Sequence, residues 1–302
     1  MRLAVGICRT KRPTVRTDSL YPGGYPQKVE ALLLEPLVSW DGFGLAEIHL
    51  RRALRQDGCP VCRCVAEAER RYIWFLLSES VNDISTRRRL AQSMGLCALH
   101  ATLMLTMEIE EWGTPLGTSI IYEGLAGQLL HHVQEARELL AQHPGRAGQT
   151  WWRGIGGRGA AKAAKCLTPQ KICRVCEIGQ ESAKHYAETL ADMVAIPQFQ
   201  EMYASSAGVC LPHLRLMVSE APDSPGLDYL LERASARLTS LRDALKALQD
   251  DLCTPSKTRP ADNFRALREA LSFFTGAEAG FTASFTYGAS ESQDEQKNQN
   301  LL

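Results

Sequence analysis

The sequence predicts an all-α protein made of two similar helical repeats. Apolar residues recur at steps of three and four along most of the chain, which is the spacing of one helix face. No segment shows the sustained alternation of apolar and polar residues that is typical of a half-buried strand. A third observation, one pattern of cysteine and histidine that occurs twice, divides the helices into two comparable sets.

The individual helices follow from this spacing and from the Gly and Pro residues between them. The clearest is at 226–252, where seven apolar residues from Leu231 to Leu252 alternate steps of three and four. We also expect a long helix at 118–142, because its apolar residues share one face. Shorter helices are predicted at about 45–56, 60–80, 84–93, 97–111, 174–194, 197–206, 211–220 and 261–274.

Composition shifts divide the chain into five parts. The first residues are rich in Pro and Gly, a central stretch is rich in Gly, Ala and basic residues without any acid, and the end is polar. The expected parts are an irregular arm at 1–44, a first repeat at 45–143, a basic Gly-rich linker at 144–170, a second repeat at 171–253, and an amphipathic segment with a disordered polar tail at 254–302.

Bulk properties narrow the class of protein. The 34 basic and 34 acidic side chains cancel, so net charge favours neither a nucleic-acid nor a membrane partner. No apolar run is long enough to span a membrane, and the N-terminus lacks the pattern of a secretory signal. We therefore expect a cytoplasmic location, where close cysteine pairs are more often metal ligands or redox thiols than disulfides.

The duplicated motif is a Cys-x-x-Cys pair followed by a Cys-x-x-His pair. The first copy reads CPVC at 59–62 and GLCALH at 95–100, and the second reads CRVC at 173–176 and GVCLPH at 208–213. The two copies are offset by 113 or 114 positions, and Glu67 and Tyr72 align with Glu181 and Tyr186. The two motifs contain eight of the 17 Cys and His residues of the chain, which random placement explains poorly.

This arrangement matches a metal site. Zinc prefers four tetrahedral ligands, and three cysteines with one histidine are a standard structural set. A pair at a helix start also places its thiolates beside free backbone N–H groups and the positive helix end. Pro60 and Pro212 stand where a first helical turn tolerates proline. We therefore expect two zinc ions, each closing one αα-hairpin.

The ligands can be assigned to the two ions in two ways. We expect each repeat to fold around its own ion, because each copy retains all four ligands at nearly the same spacing. The alternative is a crossed arrangement that takes one pair from each repeat, and loop-closure entropy disfavours it only weakly. The expected first site is Cys59, Cys62, Cys97 and His100, and the expected second site is Cys173, Cys176, Cys210 and His213.

Other chemistries remain open. Three cysteines and one histidine also allow an iron–sulfur cluster, and Cys-x-x-Cys pairs allow a dithiol redox role. No hydrolytic, phosphate-binding or dinucleotide-binding motif occurs, and a zinc ion with four protein ligands has no open position for catalysis. We therefore lean towards a non-catalytic, metal-stabilised scaffold, against an enzyme, and its partner stays open, with protein or nucleic acid as the candidates.

The basic linker suggests a further alternative. Basic residues next to aromatic ones can bind single-stranded nucleic acid through phosphate contacts and base stacking. We favour the simpler interpretation of a solvated linker whose tryptophans dock on a neighbouring helix. The residues that carry the nucleic-acid hypothesis are Arg146, Trp151, Trp152, Arg153 and Arg158.

The two motif copies also resemble a known group of proteins. The run CPVC…AERRYIWFLLSESVND…GLCALH, repeated as CRVC…GVCLPHL, is similar to an uncharacterised family of bacterial helical proteins with paired Cys-x-x-Cys and Cys-x-x-His motifs. The resemblance covers about 45–252 and implies a helical fold with metal sites. It implies no activity.

Overall fold

The computed structural model describes residues 43–142, 158–253 and 264–276, and all regular structure within these ranges is helical. The predicted all-α class is therefore confirmed. We number the described helices α1 (Gly44–Leu54), α2 (Pro60–Ser78), α3 (Ile84–Gln92), α4 (Ala98–Trp112), α5 (Leu116–Gln142), α6 (Arg158–Cys166), α7 (Arg174–Met193), α8 (Pro197–Ala204), α9 (Leu211–Glu220), α10 (Leu227–Cys253) and α11 (Arg265–Thr275).

The described residues from Leu45 onwards belong to one compact unit. The helices of both predicted repeats thus belong to the same unit. The predicted arm and polar tail lie almost wholly outside the described residues. None of the described helices combines the length and the apolarity that crossing a bilayer requires.

Helices α2 and α7 form the central pair, and their mutual packing is the most extensive in the described chain. Val65 and Glu69 of α2 lie beside Gly179 of α7. Farther along α2, Tyr72 lies close to Arg174 at the start of α7. In these contacts, higher residue numbers in α2 lie beside lower residue numbers in α7, so the two helices are antiparallel.

One core cluster lies at the C-terminal half of α2. Ile73 and Leu76 of α2 are buried together with side chains from α3, α4, α5 and the start of α7. Burial of large apolar side chains supplies most of the stability of such a bundle. The other buried members of this core are Leu90, Met104, Met107, Ile121, Cys173 and Val175.

The last three described helices pack at the other end of α7. Helix α9 packs against α7, α10 and α11, and α11 also packs along α10. Phe273 of α11 is fully enclosed and forms a small core with Ala270 and Leu241. This packing brings Gly276, which follows α11, towards the start of α9.

The predicted linker at 144–170 contains helix α6, which packs along α5. The run GAAKAAK explains this difference, because alanine has the highest helix propensity and lysine is also favourable. Residues 143–157 lie outside the described part of the chain.

Two glycines should respond to alanine in opposite directions. A Cβ at Gly226 would overlap the Ala191 carbonyl oxygen and lie 2.6 Å from a Val194 methyl, whereas a Cβ at Gly127 meets nothing within 4 Å. We expect Gly226→Ala to lower the free energy of unfolding by about 3 kcal/mol. Gly127→Ala, within α5, should raise it by about 0.5–1 kcal/mol. Urea unfolding of both variants tests this, and a stable Gly226→Ala protein would contradict the packing.

Candidate metal centres

All four predicted ligand pairs stand at helix starts, as the motif predicts. Each cysteine that opens a pair is the residue immediately before a helix, and the second ligand is the third residue of that helix. The four N-terminal cysteines are Cys59 at α2, Cys97 at α4, Cys173 at α7 and Cys210 at α9. The free backbone N–H groups of each first turn are thereby available to the sulfur atoms.

The first cluster joins the starts of α2 and α9, and we call it the α2–α9 cluster. It contains Cys59, Cys62, Cys210 and His213, whose ligand atoms all lie within 4.8 Å of one another. The Nδ1 atom of His213 lies 3.1 Å from the sulfur of Cys210, 3.3 Å from that of Cys62 and 3.5 Å from that of Cys59. The sulfurs of Cys62 and Cys210 are 3.7 Å apart.

The second cluster joins the starts of α4 and α7, and we call it the α4–α7 cluster. It contains Cys97, His100, Cys173 and Cys176, again with all ligand atoms within 4.8 Å. The Nδ1 atom of His100 lies 3.2 Å from the sulfur of Cys97, 3.4 Å from that of Cys176 and 3.6 Å from that of Cys173. The sulfurs of Cys97 and Cys176 are 3.7 Å apart. Each cluster therefore could hold a metal ion.

The clusters correct the expected pairing. We expected Cys59, Cys62, Cys97 and His100 to form one site, and Cys173, Cys176, Cys210 and His213 to form the other. The structure instead combines the Cys-x-x-Cys pair of each half with the Cys-x-x-His pair of the other half. The expectation that each hairpin is closed by its own site is therefore wrong.

The direction of the central helices explains the crossed pairing. Leu96 and Cys97 pack against the core cluster that contains Ile73 and Leu76, so the start of α4 lies beside the C-terminal half of α2. Ile73 follows Cys59 by 14 positions, which corresponds to about 21 Å along a helix. Because α7 runs antiparallel to α2, its start lies at the same end as Cys97, and Cys173 completes that cluster.

The local environment favours one thiolate in each cluster. Hydrogen bonds from Cys59 and Cys62 lower the pKa of Cys210 to about 3, and the backbone N–H of His213 acts in the same direction. Burial raises the pKa of Cys97, but hydrogen bonds from the backbone of His100 and from neighbouring thiols outweigh it, so the net pKa is lowered. The thiolate is the form that binds metal. In the same clusters, hydrogen bonds to Cys210 and Cys59 raise the pKa of Cys62, and burial raises the pKa of Cys176 to about 12, so these thiols stay protonated in the metal-free clusters.

A tyrosine holds the loop that leads into the second Cys-x-x-His pair. The Val209 backbone N–H donates to the Tyr203 hydroxyl at 3.1 Å. Burial raises the pKa of Tyr203 to about 12, so its hydroxyl remains neutral. This bond helps to fix the backbone directly before Cys210, and Tyr122 lies beside Gly95 in the corresponding loop before Cys97. The sequence alone did not single out either tyrosine.

The surroundings of the two clusters differ. Gly276 lies over the α2–α9 cluster, and the sulfur of Cys62 lies 3.0 Å from its carbonyl oxygen. Its backbone has φ +69°, and a Cβ there would lie 3.1 Å from the sulfur of Cys210. At the α4–α7 cluster, Glu69 lies beside the histidine instead, with Oε1 3.4 Å from His100 Nε2. Sequence reasoning identified neither Gly276 nor Glu69.

The residues of the nucleic-acid hypothesis are not part of either cluster. Arg146, Trp151, Trp152 and Arg153 lie outside the described residues, and Arg158 is the first residue of α6. The hypothesis of a nucleic-acid partner therefore stays a prediction.

A family model described as a family of unknown function, DUF6062, matches residues 44–255, which is more than half of the chain. The chain belongs to the DUF6062 family. All eight ligand residues lie within the matched range. This confirms the resemblance to a family of helical proteins without an assigned activity, and it makes the two clusters a feature of the DUF6062 region of the chain.

One curated relative is similar over most of the chain. This DUF6062 chain is 24% identical over 229 residues to the "Uncharacterized 23.9 kDa protein in xynA 3'region" of Caldicellulosiruptor sp. (strain Rt8B.4). The match covers 74% of this chain and 98% of the relative. No solved structure matches the chain.

Proposed function

We propose that the chain is a metal-stabilised helical scaffold that binds two structural zinc ions, one in each cluster. The observation that carries this proposal is the geometry of two Cys₃His groups at helix starts. The ligands of each ion come from both halves of the chain, so each ion joins the halves.

The distances within each cluster fit a tetrahedral zinc ion. Zinc binds cysteine sulfur at about 2.3 Å and histidine nitrogen at about 2.0–2.1 Å, so a regular tetrahedron has sulfur–sulfur edges of about 3.8 Å and sulfur–nitrogen edges of about 3.6 Å. The Cys62–Cys210 and Cys97–Cys176 sulfur distances, both 3.7 Å, agree closely with the first value. The sulfur–nitrogen distances of 3.1–3.6 Å need only small adjustments.

The composition of the sites supports a structural role. Four protein ligands complete the coordination shell of zinc and leave no position for substrate or water. Cys59, Cys210 and His100 are at most 3% exposed, so each cluster has at least one fully buried ligand. The ligands of intermediate exposure are Cys62, Cys97, Cys176 and His213. The thiolates require a reducing compartment, and the cytoplasm that we expected from the sequence provides one.

The spacing disfavours the iron–sulfur alternative. A cluster with several irons places metal and sulfide atoms between its cysteine sulfurs, whereas sulfurs 3.7 Å apart are almost in contact and have room for one ion between them. A single iron with four ligands would fit the same space. Metal analysis must therefore separate zinc from mononuclear iron.

The test is elemental analysis of protein purified without oxygen or chelators. We expect about two zinc ions per chain and a colourless solution, because zinc has no visible absorption. Visible absorption that bleaches on reduction would favour the iron or redox alternative. A preparation that neither contains metal nor binds added zinc tightly would overturn the proposal.

A further inference from the structure

His100 has a buried ring nitrogen that the ligand cluster does not use. Its Nδ1 atom faces the three sulfurs, and the side chain is 3% exposed. The Nε2 atom makes no hydrogen bond to the described part of the chain. When Nδ1 binds a metal ion, Nε2 carries the proton and becomes a donor. A buried donor without an acceptor is unfavourable, so this atom needs a partner.

The carboxylate of Glu69 lies in position to be that partner. Its Oε1 atom is 3.4 Å from Nε2, and its side chain is 20% exposed. An ionised carboxylate is an acceptor only, which matches the donor character of Nε2–H. A small rotation of the Glu69 side chain brings the pair into hydrogen-bond range. Histidines that bind metals commonly donate their second N–H to a carboxylate, which orients the ring and strengthens the ligand.

Gly179 on the neighbouring helix provides the space for this carboxylate. A Cβ at this position would overlap Glu69 Oε1 and lie 3.3 Å from Glu69 Cδ. Glycine in a helix interior is otherwise unfavourable relative to alanine. Here the missing side chain allows Glu69 to reach across from α2 towards the histidine of α4.

When the two halves of the sequence are aligned, the α2–α9 cluster has no equivalent of the pair Glu69 and Gly179. Ala183 aligns with Glu69, and Val65 aligns with Gly179. Ala183 offers no side-chain acceptor to the corresponding histidine, His213. The α4–α7 cluster thus has Glu69 and Gly179 beside it, whereas the equivalent positions for the α2–α9 cluster are Ala183 and Val65.

From these contacts we propose that Glu69 is a positioning residue for the metal ion of the α4–α7 cluster. It accepts the Nε2–H of His100, fixes the ring with Nδ1 towards the metal, and makes this site bind zinc more tightly than the α2–α9 site. This inference rests on the proposed zinc function. It goes further because it ranks the two sites and identifies the residue responsible.

The experiment is chelator competition on full-length zinc protein, recorded as the release of each ion. Loss of such an outer partner typically lowers metal affinity by about 10–100-fold. We expect Glu69→Ala to lower the zinc affinity of one site by this factor and to leave the affinity of the other site unchanged. Glu69→Gln retains an acceptor oxygen and should recover most of the affinity. Gly179→Ala, which displaces the carboxylate, should weaken the same ion.

The matched control is Glu67→Ala, two residues away. Glu67 pairs with Arg71 and Arg52 at the surface and is 45% exposed, so both ions should be released as in the unchanged protein. The ion is assigned by repeating Glu69→Ala in two backgrounds. The loss of zinc affinity caused by Glu69→Ala should persist in the Cys210→Ser background, which retains the α4–α7 site. It should vanish in the Cys97→Ser background, which retains only the α2–α9 site.

A spectroscopic readout separates positioning from general stability. In nitrogen-15 NMR spectra, the Nε2 proton of His100 should exchange slowly with water and should exchange faster in Glu69→Ala. The role of Glu69 would be overturned if Glu69→Ala bound two zinc ions and lowered the affinity of both sites equally, or of neither. The zinc proposal would remain intact in that case. If the unchanged protein binds no zinc, the proposed function itself fails.

Discussion

Replacing Cys59 and Cys210 together should leave one tightly bound metal ion per chain, whereas replacing Cys59 and Cys97 together should leave none. The first pair of substitutions affects only the α2–α9 cluster and leaves the four ligands of the α4–α7 cluster complete. The second pair removes one ligand from each cluster. Elemental analysis of the Ser variants after washing with a weak chelator measures the difference.

The two double variants control each other, because each loses two thiols. If the ligands paired within each half of the sequence, the outcomes would be reversed: Cys59→Ser with Cys97→Ser would retain one ion, and Cys59→Ser with Cys210→Ser would retain none. The experiment therefore distinguishes the crossed pairing from the pairing that the sequence suggested. Equal metal content in the two variants would contradict both arrangements.

Removing both ions should unfold most of the helical structure. The binding free energy of a structural zinc ion is about 10–16 kcal/mol in small zinc domains, comparable to or larger than the net stability of a typical domain, about 5–15 kcal/mol. Each ion also connects distant parts of the chain, since Cys62 and Cys210 are 148 residues apart and Cys97 and Cys176 are 79 apart. We expect chelation to abolish the cooperative thermal transition and to lower the helical circular dichroism strongly.

Restoring the metal provides the control for this prediction. Zinc added under reducing conditions should recover the helical signal, and magnesium should not, because magnesium prefers oxygen ligands. A metal-free protein that keeps its helical signal and melts within a few degrees of the zinc form would show that the apolar core suffices. In that case the ions would have no structural role.

The helices and the helix-start position of the ligands could be predicted because their signals are local. Apolar spacing, Gly58 before α2 and the cysteine pairs act within a few residues. The predicted bounds of the helices before α6 lie within two residues of the observed ones. The eight ligand residues could be named for the same reason, since their spacing within each pair is a local property.

The partners of each pair could not be predicted, because they depend on how two distant helices cross. Both possible pairings use the same ligand types, and their loop lengths differ by only a small entropy. The antiparallel packing of α2 against α7 decides between them, and no local pattern encodes that packing. The sequence alignment itself was misleading, since a complete ligand set in each half suggested independent sites.

The roles of Glu69 and Gly276 could not be predicted from the sequence for a different reason. Each acts through one contact made in the folded state, and neither belongs to a motif. A signal for Glu69 was nevertheless present: Gly179 interrupts a helical pattern, and the alignment places Ala183 opposite Glu69. A glycine in a helix interior often has a packing reason, which here is the space for a carboxylate.

The crossed pairing also has a consequence for the newly made chain. Cys59 leaves the ribosome 151 residues before Cys210, a delay of about 8–30 s at ordinary rates of synthesis. For the last 110 of these positions, Cys59, Cys62, Cys97 and His100 have all been synthesised, and they form a complete set of four ligands whose members belong to different native sites. An ion captured by this early set holds the wrong partners together. With both clusters loaded as proposed, the native protein forms only if metal capture stays reversible until His213 has been synthesised.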